Sequence, residues 1–71
     1  MSLLEKNVGF TGTIKEISGS ANIMERLNEL GLYKGQQIHI QSKILFGEPY
    51  IVKVGNTLLA LRKDEIKCIQ V

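Results

Sequence analysis

The 71 residues contain one cysteine, one histidine, one proline and no tryptophan, and each scarcity removes a class of explanation. Cys68 has no partner for an internal disulfide, and a solitary thiol fits a reducing cytoplasm better than an oxidising compartment. With a single histidine, His39, and no His-x-x-x-His or Cys-x-x-Cys pair, the chain offers no local metal cage. A Gly-x-x-x-x-Gly-Lys-Ser/Thr phosphate loop is also absent. These gaps argue against catalysis, and no catalytic, cofactor-binding or metal-ligating residue is assigned.

Long apolar runs are missing too. The longest, Leu58 to Leu61, is followed at once by Arg62 and falls far short of the ~20 residues of a membrane span. Met1 to Val8 contains Glu5 beside Lys6 and lacks the apolar middle of a secretory signal, so a cytoplasmic protein without membrane insertion is expected. The net charge is only +2, with lysines interleaved by acids, and four Tyr and Phe residues in all leave little with which to stack bases. Residues 1–71 are expected to form a single domain whose small core is only marginally stabilising.

What is present is one strong helix signal among strands. Ile23, Met24, Leu27 and Leu30 fall on one stripe of a 3.6-residue period, predicting a helix over 21–30 with Ser20 or Asn22 as its cap. Gly31 in the left-handed conformation would end it, and Leu32 would then meet Leu27 in the apolar contact of a Schellman stop.

Elsewhere the period is two. Val8, Phe10, Gly12 and Ile14 mark a half-buried strand, with Gly12 read as a point of curvature, and Ile17 falls on the opposite parity, which signals a bend. Ile38, Ile40, Ile44 and Phe46 share the dry face of a long strand, opposite Gln37, His39, Gln41 and Lys43. Gly47-Glu48-Pro49 turns the chain into Tyr50, Val52 and Val54, and Gly55-Asn56 is a two-residue hairpin signal. Lys63-Asp64-Glu65 reads as one solvated helical turn, and Ile69 and Val71 belong to a last strand. The expectation is a mainly β fold, a five-stranded SH3-like barrel with one short inserted α-helix, because closure hides edges that an open sheet would expose; a flat two-layer α+β sheet is the alternative that periodicity leaves open.

Most chemistry-bearing side chains have plain readings. His39 is a solvated imidazole on the wet face, and Cys68 is a small strand residue without a general base. Apolar residues that the barrel leaves uncovered are better candidates for function. Leu32 and Tyr33 follow the helix stop, while Leu45 and Ile51 lie on parities opposite their core neighbours. Together they outline a partner-binding groove, although Leu32 fits equally well beneath the helix as core. Arg26 either pairs with Glu29 one turn away or sits at the rim of that groove.

Arg26-Leu27-x-x-Leu30-Gly31-Leu32-x-x-Gly35, then Phe46-Gly47-x-Pro49, Leu59-Ala60-Leu61-Arg62 and Glu65-Ile66-x-x-Ile69-x-Val71 resemble the FeoA family, the small cytosolic component of bacterial ferrous iron uptake. Lys34 replaces the proline often found there, and residues 1–7 match poorly. The resemblance implies a non-enzymatic accessory protein with an SH3-like barrel. It also implies a partner, FeoB, the membrane ferrous iron transporter with a cytosolic GTP-binding domain. The competing class is a nucleic-acid or transcription-regulator-associated SH3-like domain, and an uncovered edge strand leaves homo-oligomerisation open.

Overall fold

Ser20, Gly31 and a run of alternating isoleucines set the architecture of the computed structural model, which describes residues 1–44 and 48–71. The Ser20 hydroxyl accepts the Ile23 N–H at 3.2 Å and starts α1, Ala21–Glu29. Asn22, the other candidate cap, lies inside the helix. Gly31 adopts φ +90°. The Gly31 N–H then reaches the Asn28 carbonyl at 2.9 Å and the Leu32 N–H reaches the Leu27 carbonyl at 3.0 Å, completing the Schellman stop. Leu27 is wholly buried and Leu32 is 1% exposed, so both leucines of that contact enter the core. Ile23 and Leu30 pack against it, but Met24, at the edge of the stripe, remains in solvent.

Among the described residues six strands form, not five. A four-stranded antiparallel sheet runs in the order β1 (Thr11–Thr13), β3 (Gln37–Lys43), β4 (Tyr50–Val54), β5 (Thr57–Leu61). The short β2 (Glu16–Ile17) pairs separately with β6 (Ile69–Gln70). The extra strand arises where the parity broke. Ile14 still donates to Gln36 at 2.8 Å, but Lys15 donates to Gln70 at 2.7 Å, so the chain leaves one sheet for the other. No ladder joins β5 to β6 among the described residues, and the sheet does not close into a hydrogen-bonded barrel. The one-turn α2, Lys63–Ile66, connects the two strands along the chain instead.

Two further expectations change. A bulge between Ile40 and Ser42 shifts the register of β3, so Lys43 rather than Ile44 stands opposite buried Tyr50 and Ile44 turns outward. Val8 is exposed in a turn ahead of Gly9, and β1 begins only at Thr11. Gly12 serves clearance: the Phe10 ring occupies the place a Cβ would take. Phe46 and Gly47, assigned above to the long strand and the turn after it, lie outside the described residues. The Gly55-Asn56 hairpin forms as expected, with Val54 paired to Thr57.

The N-terminal residues, which carry little pattern, are tied down. Ser2 caps a one-turn 3₁₀ helix, Leu3–Glu5, and delivers a fully buried Leu3 to the core. Fully burying a leucine contributes on the order of 1.5–3 kcal/mol, a useful amount in so small a domain. The Val71 N–H donates to the Met1 carbonyl at 2.8 Å, placing the two ends side by side.

Candidate partner-docking groove

The stop at Gly31 decides which side chains remain available. As the chain reverses, Leu32 points inward and Tyr33 outward, and Gln36 holds the reversal from both sides. Its Oε1 accepts the Tyr33 N–H at 2.7 Å, and its Nε2 donates to the Gly31 carbonyl at 3.0 Å. Gly35, at φ +95°, donates to the Ile14 carbonyl at 2.8 Å and returns the chain to the sheet. Tyr33 is therefore presented on a braced loop, with 53% of its surface exposed.

Beside it opens a groove of about 1050 Å³ between α1, the β2–β6 pair and Met1. Met1, Ile17, Met24 and Tyr33 supply apolar surface, and Lys15 and Lys34 stand among them with Glu16 and Glu25. Met1 and Met24 are 67% and 42% exposed, so flexible thioethers line a wet surface. Methionine adapts its shape to irregular partners, and tyrosine buries area while keeping a polar tip. This combination is suited to holding another protein.

The residues expected to share a groove separate in space. Tyr33 lies in it, and Leu32, being core, contributes only to its wall. Ile51 sits half-buried on the sheet between its cross-strand partners Ser42 and Ala60 and does not reach the groove. Leu45 lies outside the described residues. Arg26 has a third fate: its Nε donates to Glu65 Oε2, tying α1 to α2, and it pairs neither with Glu29 nor with the groove. Glu65, expected in a solvated turn, is 3% exposed, with its other oxygen accepting the Arg62 N–H at 2.8 Å. Met24 and Met1 were missed, the first because its helical position is shared with the core stripe. Its place at the margin of that stripe was the available signal.

The remaining candidates have structural roles. His39 is half-buried and its Nδ1 lies 2.7 Å from Thr11 Oγ1, which binds the imidazole to the neighbouring strand instead of leaving it free in water. Cys68 lies between α2 and β6, not in a strand, and its thiol donates to the Asp64 carbonyl at 3.3 Å. A Cβ on Gly19 would stand 2.7 Å from that sulfur. Cys68 fills a fitted space. Among the described residues no group of three or more His, Cys, Asp or Glu side chains is placed to hold a metal, and no helix is long and apolar enough to cross a membrane.

The same fold is found in solved structures. The Stenotrophomonas maltophilia FeoA complexed with zinc, described as a prokaryotic SH3-domain protein, is 36% identical, with a TM-score of 0.85 over 100% of this chain and 88% of that one. Iron(II) transport protein A from Clostridium thermocellum is 31% identical, with a TM-score of 0.88 over 99% of this chain and 43% of that one. A manganese-dependent transcriptional repressor is similar at 17% identity, with a TM-score of 0.88 over 97% of this chain and 39% of that one, a likeness of fold alone. No curated protein matches. The FeoA domain family matches residues 1–71. From the Leu27–Leu32 stop to the last strand, the chain is thus a member of the FeoA family, the SH3-like proteins associated with ferrous iron transport.

Proposed function

We propose that this chain is a non-enzymatic accessory protein of ferrous iron uptake that docks in the cytoplasm on the cytosolic region of the transporter FeoB. Its mechanism is contact. The groove beside Tyr33 supports this reading most directly, because it exposes Met1, Met24 and Tyr33 together on a surface braced by Gln36. Exposed apolar surface of this kind is costly to leave uncovered, and aromatic side chains in such patches carry a large share of binding energy. Lys15 and Lys34 alternate with Glu16 and Glu25 around it, a mixed set of charges that would fix the register of a complementary partner surface.

Titration of the purified chain against the cytosolic region of FeoB tests the proposal. Saturable binding is expected, and Tyr33→Ala or Met24→Asp should weaken it about tenfold or more while leaving the circular dichroism spectrum unchanged. Equal affinity for the native chain and both variants would remove the groove from the interface. No binding by the native chain, with salt-dependent binding to DNA or RNA instead, would transfer the protein to the regulator class.

A further inference from the structure

The two edges of the four-stranded sheet are unequal. β1, Thr11–Thr13, is a three-residue Thr-Gly-Thr segment, short and polar. β5 at the other edge is Thr57-Leu58-Leu59-Ala60-Leu61, with no charge, no proline and no bulge along its five residues. Long apolar edges invite another strand, and proteins ordinarily guard them with those very features. β5 has none of the guards.

Which of its backbone groups are free follows from the hairpin. Val54 and Thr57 close the two-residue turn as a hydrogen-bonded pair, so Thr57, Leu59 and Leu61 direct their N–H and C=O groups toward β4. Leu58 and Ala60 therefore direct theirs away from the sheet. Among the described residues no other backbone or side-chain group bonds to them. The side chains alternate correspondingly: Leu61 is buried and Leu59 half-buried on the inner face, while Leu58, 56% exposed, shares the outer face with Ala60, Lys53 and Ile51.

The geometry points to a second copy of this chain as the occupant, joined β5 to β5 in antiparallel register about a two-fold axis at Leu59. Only even register sums bring free groups opposite free groups, and the axis at Leu59 is the choice that pairs all five residues of both strands. Leu58 then exchanges both backbone hydrogen bonds with Ala60 of the second copy, and Ala60 does the same with Leu58. A large side chain meets a small one in each pair, extending the apolar strip from Ile51 through Ala60 across the axis. The two Leu59 side chains meet on the inner face and cover one another. Charges do not oppose the pairing, because Arg62 faces Asn56 and Lys53 lies in the row of Ile51 in the second copy. None of these residues lines the groove beside Tyr33.

Light scattering on the full chain across a concentration series, with NMR on a mixture of labelled and unlabelled protein, tests the assignment. The native chain should approach twice its 7.9 kDa monomer mass, with an intermolecular contact between Leu59 α-protons, the short approach of a non-hydrogen-bonded pair. Ala60→Pro removes an N–H that the chain's own sheet does not use, and Leu58→Lys places charge in the strip while leaving the backbone intact. Both should run as monomers with unchanged circular dichroism and unchanged affinity for the transporter fragment. A native chain that stays monomeric at high micromolar concentration overturns the proposal. So does a dimer that survives both substitutions or lacks the Leu59 contact. Monomers whose Leu58 and Ala60 amides become protected only with the transporter fragment would also overturn it.

Discussion

The one-turn helices Leu3–Glu5 and Lys63–Ile66 carry the same local chemistry in different surroundings. In each, a glutamate three residues after the cap turns back to accept the cap's N–H, Ser2 to Glu5 at 3.1 Å and Arg62 to Glu65 at 2.8 Å. Glu5 does this in solvent. Glu65 does it at 3% exposure and has its second oxygen bound by Arg26, 39 positions away. A water molecule can replace the Glu5 bond, whereas burial denies Glu65 that substitute. The comparison shows that a capping motif fixes a turn, while the groups packed behind it determine how much the turn contributes to the fold.

Substitutions can separate the two cases. Glu65→Ala should have the largest effect, about 2–3 kcal/mol in chemical denaturation, because it leaves the Arg62 N–H unpaired, releases α1 from α2 and opens a cavity. Arg26→Ala should cost less, about 1 kcal/mol, because the arginine is 58% exposed and water already screens its side of the pair. Glu5→Ala should be smallest, about 0.5 kcal/mol, and additive with Arg26→Ala. Equal losses for Glu5→Ala and Glu65→Ala would mean that burial behind the second turn adds nothing beyond the cap.

What could be read from the residues was local. The helix and its stop followed from Leu27, Gly31 and Leu32 lying within six positions, and the Gly55-Asn56 hairpin from two adjacent residues. Alternation identified Ile38, Ile40, Tyr50, Val52 and Val54 as core. It failed at Ile44, because a bulge inserts one residue without any local marker and shifts the face of the residues that follow it in the strand, Ser42 and Lys43, and of Ile44. The first strand divided because β6, more than fifty positions later, captured its second half. Barrel closure was inferred from the cost of free edges, but among the described residues no ladder joins β5 to β6, which are linked through α2 along the chain. Of the groove, Tyr33 was legible because it follows the stop. Met1 was not, since its position depends on a bond to Val71.

That bond between the first and last residues has a topological consequence. Any polypeptide joined to either end leaves the domain from one spot, and that spot borders the groove, which Met1 and Gln70 both line. A ligand tethered there by a short flexible linker would encounter the groove at an effective concentration in the millimolar range, whichever end carried it. Weak intrinsic affinity would then suffice for near-continuous occupancy, and fusion at either terminus becomes a way to trap a transient complex in a single chain.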